Sequence, residues 1–227
     1  MLQENPVRAC ILVFGQMDLV DFSGPLETLY HAYEHGTEDR LISIEVAAPT
    51  EEILTEQGVI IKRNISFEQA LESLPQYDIL VAPGASYKTT KAMCESPDNS
   101  VINIIKQFCS LPATQTKTRQ RIMLSICSGS FFLATAGLLA GRRATTHFTR
   151  LPQLEQAAAK HGRTEVSRHR FVDAGLLDNG VRIVSSGGLT SCFDAALYAI
   201  ELLCGLQSAE FASEELDYQW RKSEALF

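Results

Sequence analysis

A single cysteine stands where an apolar run meets the start of a helical pattern, in the segment MLSICSGS at 123–130. A strand that turns directly into a helix holds its turn residue in a strained backbone conformation, with the side chain projecting from the sheet edge. Partial positive charge at the start of the helix lowers the pKa of a cysteine there and favours the nucleophilic thiolate. Cys127 is therefore a candidate nucleophile, although free cysteines are also common in protein cores.

A carboxylate follows the first apolar run of the chain. Asp21 lies in MDLVDFSGP at 17–25, just before a Gly-Pro pair that is typical of a helix start. As an isolated residue it suits a helix N-cap, and Asp18, earlier in the loop, is the weaker candidate for chemistry. If Asp21 instead faces Cys127, the two acidic groups share one proton, because both cannot easily be charged. The carboxylic acid then serves as a general acid and later as a general base.

Small residues and histidines follow other apolar runs. Gly84 and Ala85 lie in a turn whose backbone amides could form an anion-stabilising pocket, or could belong to an ordinary strand-to-helix turn. His147 could polarise a substrate or orient water, and a histidine held by backbone hydrogen bonds is an equal alternative. His31 and His35 are one helical turn apart but lack a third ligand, so no metal site is predicted. No GxGxxG or P-loop pattern occurs, and no cofactor is predicted.

Apolar runs and helical patterns alternate along the chain and must position these residues. Buried strands are predicted at 8–14, 42–47, 79–81, 121–126 and 181–185, and helices at 24–35, 66–73, 99–109, 129–137, 151–161 and 192–204. Further short strands are predicted near 142–146 and 168–172. Strands that alternate with helices form a largely parallel sheet covered on both faces. Ligands of such folds bind beyond the carboxyl ends of the strands, which is where Cys127, Asp21 and Gly84 fall.

Length and composition limit the classes of function. The chain has 227 residues, 45% hydrophobic and 21% charged, which predicts one α/β domain over 1–227. A net charge of −7 argues against nucleic acid or an anionic membrane as the main partner. The six cysteines form no CxxC pair, which predicts reduced thiols, and the amino terminus lacks a basic start followed by an apolar stretch. We therefore expect a cytoplasmic protein that acts on a small molecule.

Two segments lack clear periodicity. Residues 111–119 are polar and contain Pro112 and three threonines, so they are predicted to be a surface insertion. Residues 213–227 carry mixed charge with Tyr218 and Trp220, and are predicted to pack on the domain or on a partner subunit. Asp194 falls in the first turns of the last long predicted helix, where a carboxylate suits the helix dipole, so we assign it either a structural role or a role in supporting the site residues.

Taken in order, these motifs resemble the PfpI branch of the class I glutamine amidotransferase-like superfamily. The resemblance rests on LVDFSGPLE (19–27), APGA (82–85), ICSGS (126–130), AGLLAGRRATTH (136–147) and GGLT (187–190) with Asp194, and covers roughly residues 8–217. The pattern is most similar to isonitrile hydratases and to the sensor domains of AraC-type regulators. The resemblance implies a flavodoxin-like three-layer α/β sandwich with a mostly parallel sheet, commonly a homodimer. It also implies that Cys127 is the nucleophile and Asp21 its acidic partner.

The residue after the nucleophile distinguishes members of this branch. Ser128 stands where isonitrile hydratases carry threonine, and it keeps a hydroxyl and a backbone amide, so it joins the implied catalytic set. Protease-like members carry histidine at this position, so peptidase activity is not expected. The resemblance further assigns oxyanion or substrate binding to Gly24, Gly84, Ala85, His147 and Phe148, the last standing where tryptophan is usual.

The leading functional hypothesis is hydration of an isonitrile to an N-substituted formamide. Once the isonitrile is protonated, the Cys127 thiolate attacks its carbon to give a thioimidate, which water then cleaves. Asp21 would donate and later accept the protons. Two alternatives stay open: glyoxalase-like attack on a 2-oxoaldehyde, and a non-catalytic ligand or oxidative-stress sensor in which Cys127 becomes a sulfinic acid beside Asp21. No basic recognition helix is present in the sequence, so direct DNA binding is not expected.

Overall fold

Strands and helices alternate along the chain in the computed structural model, which describes residues 6–34, 36–112 and 119–227. The strands are β1 (Val7–Leu12), β2 (Ile42–Ala48), β3 (Glu52–Leu54), β4 (Ile60–Lys62), β5 (Ile65–Ser66), β6 (Ile79–Ala82), β7 (Ile122–Ser125), β8 (Arg143–Ala144), β9 (Glu165–Val166), β10 (Phe171–Leu176) and β11 (Arg182–Ser186). The α-helices are α1 (Leu19–Tyr30), α2 (Phe67–Ser73), α3 (Tyr87–Glu95), α4 (Ser100–Ser110), α5 (Ser130–Thr135), α6 (Leu151–Ala158), α7 (Ser191–Cys204) and α8 (Leu206–Glu215).

One seven-stranded sheet organises the fold, with the strand order β10-β11-β7-β6-β1-β2-β5. Neighbouring strands run parallel except β10, which pairs antiparallel with β11. Every residue of β6 and β7 is buried. Strands in the middle of a parallel sheet read as continuous apolar runs because helices cover both faces, which is why the sequence reveals them so clearly.

The helices form one layer on each face of the sheet. Helices α1, α7 and α8 contact one another on one face, while α5 contacts α3, α4 and α6 on the other, with α2 packed against α4. This arrangement confirms the predicted α/β fold, a flavodoxin-like three-layer sandwich with a mostly parallel sheet. None of the helices that the structure describes is long and apolar enough to span a membrane.

Helix α1 begins earlier than the sequence predicts, at Leu19 instead of residue 24. The Asp18 carboxylate accepts hydrogen bonds from the backbone N–H groups of Val20 (2.9 Å) and Asp21 (3.4 Å), so Asp18 is the N-cap. Pro25 lies inside the helix. The N-cap interpretation of Asp21 is therefore wrong, because the cap lies one turn earlier and places Asp21 in the first turn.

The periodicity of the sequence does not predict several of the observed elements. Helix α3 carries few apolar residues and depends on Ser86, whose hydroxyl accepts the N–H of Thr89 at 3.3 Å. Helix α8 and the β3–β4 hairpin are also absent from the predicted pattern. The strand predicted near 142–146 is the short β8, which pairs with β9 outside the main sheet. Residues 113–118, most of the predicted insertion at 111–119, lie outside the described residues, as does His35.

The last residues of the chain pack on the domain itself. Leu226 lies beside Val172 at the edge strand β10, and its N–H donates to the carbonyl of Phe171 at 3.1 Å. The indole Nε1 of Trp220 donates to the carbonyl of Asp194 at 3.2 Å. Of the two alternatives for this segment, packing on the domain is the one that the structure shows.

Candidate active site

Four adjacent strands deliver the predicted residues to one edge of the sheet. β1, β6, β7 and β11 are parallel, and the segments that follow them carry Asp21, Gly84, Cys127 and Leu189 respectively. Because parallel strands end at the same edge, these segments converge there. The sequence-based expectation that Cys127, Asp21 and Gly84 lie together is correct.

Cys127 occupies a strained elbow between β7 and α5. Its φ is 53°, in the left-handed region, and a 3-10 turn over Cys127–Gly129 leads directly into the helix. This conformation costs a non-glycine residue about 1–2 kcal/mol, so neighbouring contacts must hold it. The Cys127 N–H donates to the carbonyl of Gly187 at 3.1 Å, and its carbonyl accepts from the hydroxyls of Thr146 (2.9 Å) and Ser130 (3.0 Å). The predicted strained strand-to-helix elbow is therefore present at Cys127, whose role as a nucleophile stays a prediction.

Two glycines allow the elbow to pack closely against its neighbours. A Cβ atom at Gly129 would lie 2.2 Å from the carbonyl oxygen of Ala82 in β6. A Cβ atom at Gly84 would lie 2.6 Å from Oγ of Ser128 and 2.8 Å from Oδ2 of Asp21. Any larger residue at either position would push the elbow away from the carboxyl group.

The Asp21 carboxyl group is fully buried beside the sulfur. It lies within hydrogen-bonding reach of the Cys127 thiol and of the Leu189 N–H, and its Oδ2 atom accepts the N–H of Gly84 at 3.2 Å. Burial, followed by the nearby Asp18 carboxylate, raises the pKa of Asp21 to about 7. Its Oδ1 atom has no partner of good hydrogen-bond geometry among the described residues, so it is available to hold a proton.

The Cys127 thiol loses its proton less readily than the thiol of an ordinary cysteine. The residue is 7% exposed, and burial, followed by the Asp21 charge, raises the pKa of Cys127, while the Ser128 N–H lowers it. The predicted fall in the Cys127 pKa is therefore wrong, because desolvation outweighs the helix dipole. A buried thiolate beside a buried carboxylate is costly, so the pair retains one proton near neutrality. The positions of the two groups support the predicted sharing of one proton, which stays a prediction.

The backbone amides expected to form an anion pocket have partners inside the protein. The Ala85 N–H donates to Oγ of Ser128 at 2.9 Å, and the Gly84 N–H is bound to Asp21. The Ser128 hydroxyl donates to the carbonyl of Ala85 at 2.8 Å and lies 2.8 Å from Oγ1 of Thr90. The backbone N–H that faces the Cys127 sulfur belongs to Ser128.

Cys127 opens into a cavity of about 250 Å³, a volume that suits a small ligand. Ser128, Ala85 and His147 line the same cavity. Nδ1 of His147 lies 2.8 Å from Oγ1 of Thr149. Burial, followed by the charge of Arg150, lowers the pKa of His147, so the ring is neutral at pH 7.

Two other predicted binding residues lie away from this cavity. Phe148 is 55% exposed and lines a neighbouring cavity of about 610 Å³. Gly24 is buried where α1 packs against α7, and a Cβ atom there would lie 2.2 Å from Sγ of Cys192. Gly24 therefore serves helix packing.

Sequence reasoning missed Leu189 and Arg150. Leu189 has a φ of 48° and acts on Asp21 through its backbone N–H, which no residue-type pattern reveals. Arg150 lines the Cys127 cavity because a 3-10 turn over Phe148–Arg150 directs it there. Within the described ranges, no group of three or more His, Cys, Asp or Glu side chains could hold a metal ion.

Asp194 makes structural contacts, in agreement with one of the two roles predicted for it. Its buried carboxylate pairs with Arg170 and accepts hydrogen bonds from the Tyr218 hydroxyl and the Arg221 N–H, both at 2.8 Å. These contacts bind α7 to the final segment of the chain. The turn at 187–190 lies just before α7, so the same contacts support the segment that carries Leu189.

An elbow cysteine paired with a buried carboxyl group at the carboxyl edge of a flavodoxin-like sheet defines a class of α/β proteins with a cysteine-centred site. The family within that class follows from comparison with known sequences. The chain belongs to the DJ-1/PfpI family, whose profile matches residues 7–201.

Individual relatives agree with this assignment. An isonitrile hydratase from Pseudomonas putida is 27% identical over 210 residues, which cover 91% of this chain and 76% of that protein. An uncharacterised protein of the cpoL 5' region of Streptomyces lividans is 34% identical over 144 residues, 63% of this chain and 89% of that protein. The crystal structure of a ThiJ/PfpI family protein from Pseudomonas syringae has a TM-score of 0.71 at 21% identity, covering 95% of this chain and 76% of that chain.

Proposed function

We propose that the protein is a cysteine-dependent hydratase that converts an isonitrile to an N-substituted formamide. Membership of the family supports a role as an enzyme or sensor, and the relative named isonitrile hydratase motivates the choice of substrate. One observation carries the proposal. The buried carboxyl group of Asp21 lies within reach of the elbow thiol of Cys127, and its Oδ1 atom has no partner among the described residues.

The first half of the reaction adds the thiol across the isonitrile carbon. In the reactive form of the pair, Asp21 holds the shared proton and Cys127 is the thiolate. Asp21 gives this proton to the isonitrile carbon while the sulfur bonds to the same carbon, which yields the thioimidate R–N=CH–S and leaves Asp21 as a carboxylate. The Ser128 N–H stabilises the sulfur anion before the bond forms.

The second half of the reaction uses water to release the enzyme. The Asp21 carboxylate takes a proton from water as the water oxygen attacks the thioimidate carbon, and this proton passes to the nitrogen. The new hydroxyl then gives its proton to Asp21, the C–S bond breaks, and R–NH–CHO leaves. The pair again holds one proton, so the cycle is balanced. The neutral ring of His147 lines the cavity and suits the orientation of this water.

The test is formation of formamides from simple alkyl and aryl isonitriles, followed by mass spectrometry. We expect Cys127→Ala to abolish turnover and Asp21→Asn to lower kcat by about 100-fold or more, since general acid–base catalysis contributes on that scale. Cys204→Ala, at the end of α7, and Asp39→Asn, on the surface, are the matched controls. Undiminished turnover in Cys127→Ala would remove the mechanism.

Other outcomes of this experiment identify the alternatives. If isonitriles are inert but a 2-oxoaldehyde is converted to a 2-hydroxy acid, the same pair acts on a different electrophile. If neither reacts and mild peroxide yields a stable sulfinic acid at Cys127, the protein is a sensor. We further propose that the protein is a cytoplasmic homodimer whose main partner is neither nucleic acid nor membrane. Gel filtration with light scattering tests the dimer.

A further inference from the structure

One arginine in the Cys127 cavity has no carboxylate partner among the described residues. Arg150 ends the 3-10 turn Phe148–Arg150, and its guanidinium stacks over the ring of Tyr87, with 4.7 Å between the guanidinium carbon and the ring centroid. Within the part of the chain that the structure describes, no carboxylate lies within ion-pair distance of this guanidinium. Stacking fixes the plane of the group and leaves its N–H edges available to a ligand.

Two other partly buried arginines of this acidic chain have carboxylate partners. Arg170 pairs with Asp194, and Arg182 pairs with Asp173. Partly burying an arginine without a counter-ion costs free energy, and a carboxylate on a ligand in this cavity would offset that cost.

Two carboxylates also line the cavity, and neither forms an ion pair with Arg150. Asp18 lines the cavity but accepts the N–H of Val20 and the Nε2 amide of Gln57, each at 2.9 Å, within the cap of α1. Glu56 also lines the cavity, and it is exposed to solvent, which screens its charge. The charge of Arg150 acts inside the site, since it contributes to the lowered pKa of His147.

We propose that Arg150 is a specificity-determining residue that binds a carboxylate on the substrate, so the natural substrate is a small electrophile with an anionic carboxylate arm. The identity of the reacting group, an isonitrile, rests on the proposed function. Recognition of a carboxylate beside Cys127 can be tested without assuming that the reacting group is an isonitrile. A guanidinium binds a carboxylate through two parallel N–H donors, which gives both affinity and orientation.

The first experiment uses two alkylating agents of matched size that differ in charge. Iodoacetate and iodoacetamide both transfer a two-carbon group to the Cys127 sulfur with loss of iodide, and peptide mass spectrometry gives each rate constant. The readout is the ratio of the iodoacetate rate to the iodoacetamide rate. We expect Arg150→Gln to lower this ratio by about tenfold, the scale of one charge-assisted contact.

Two further variants separate specific recognition from simple charge. Arg150→Lys keeps the charge but loses the planar fork and the stacking on Tyr87, so we expect it to recover less than half of the lost preference on a logarithmic scale. Glu56→Gln removes the opposite charge from the same cavity and is expected to raise the ratio by about twofold or less. Circular dichroism and the Tm of each variant check that it folds. An unchanged ratio in folded Arg150→Gln would overturn the proposal.

The second experiment uses substrates, 4-isocyanobenzoate and phenyl isocyanide. We expect kcat/KM for the carboxylate to exceed that for the neutral compound by about tenfold in the wild type, and this preference to disappear in Arg150→Gln. Formamide from both compounds without such a preference overturns the role of Arg150 and leaves the hydratase proposal intact. If neither compound yields formamide, the hydratase proposal fails, and the alkylation ratio alone decides the role of Arg150.

Discussion

Replacing Asp21 by asparagine tests the burial of the carboxyl group directly, because the variant removes the charge and keeps the shape. In Asp21→Asn the side-chain oxygen would still accept the N–H of Gly84, and the amide NH₂ would face the Cys127 sulfur. In the wild type, burial raises the pKa of Asp21 from 3.8 to about 7. A folded-state pKa above the unfolded value means that the proton stabilises the fold below pH 3.8, and that this stabilisation is lost as the pH rises through 7.

The size of the effect follows from the two pKa values. Each unit of difference corresponds to about 1.4 kcal/mol, so the full loss is about 4 kcal/mol. Between pH 5 and pH 8 the unfolded carboxyl group is already ionised while the folded one loses its proton, which removes about 3 kcal/mol from the free energy of unfolding. Burial raises the pKa of Cys127, so the thiol titrates above this window.

The assay is urea denaturation of both proteins at pH 5, 6, 7 and 8. We expect the free energy of unfolding of Asp21→Asn, minus that of the wild type, to increase by about 3 kcal/mol from pH 5 to pH 8. The surface variant Asp39→Asn is the control and should follow the wild type at every pH. A difference between Asp21→Asn and the wild type that stays constant across this range would refute the buried, proton-holding carboxyl group.

Three further predictions concern the same structure. The rate of Cys127 alkylation by iodoacetamide should rise with pH through about 7, because the Asp21–Cys127 pair then passes from two protons to one and its thiolate form becomes populated. Asp21→Asn should move the midpoint to higher pH, and identical pH profiles would contradict the shared proton. Gly129→Ala should lower the free energy of unfolding by about 3 kcal/mol because its Cβ atom would lie 2.2 Å from a backbone carbonyl of β6, and urea denaturation measures this. Gly24→Ala should lower the free energy of unfolding by about 1–3 kcal/mol in the wild-type background, because its Cβ atom would lie 2.2 Å from Sγ of Cys192. In a Cys192→Ala background, which removes this sulfur, the loss should be no more than half as large. Equal losses in both backgrounds, measured by urea denaturation, would show that the strain arises elsewhere.

The sheet and the edge that carries the site could be predicted from local patterns. β6 and β7 read as apolar runs because they are covered on both faces, and topology then brings the ends of neighbouring parallel strands together. The start of α1 could not be predicted in the same way, because Asp18 and the Gly-Pro pair both mark a helix start. The hydrogen bonds made by Asp18 decide between the two signals.

The polar contacts of the site depend on residues far apart in the sequence. The Gly84 N–H donates to the Asp21 carboxyl group and the Ala85 N–H donates to the Ser128 hydroxyl, and only the folded sheet brings these groups together. For this reason the residue types correctly predict that Asp21 lies close to Cys127, whereas the backbone N–H that faces the sulfur belongs to Ser128 and not to Gly84 or Ala85. The direction of the Cys127 pKa shift likewise could not be predicted, because it depends on how deeply the sulfur is buried, which sequence patterns do not show.

The strained backbone of Cys127 lowers the stability of the fold. With φ at 53°, a glycine at this position would fold with about 1 kcal/mol more stability than an alanine, so Cys127→Gly should have a higher Tm than Cys127→Ala. Stability is therefore a poor guide to this site, because the substitution that removes the thiol can also be the one that best relaxes the elbow. A chain optimised for thermal resistance alone would carry glycine instead of cysteine at this position, so the strain at residue 127 is kept at a cost in stability.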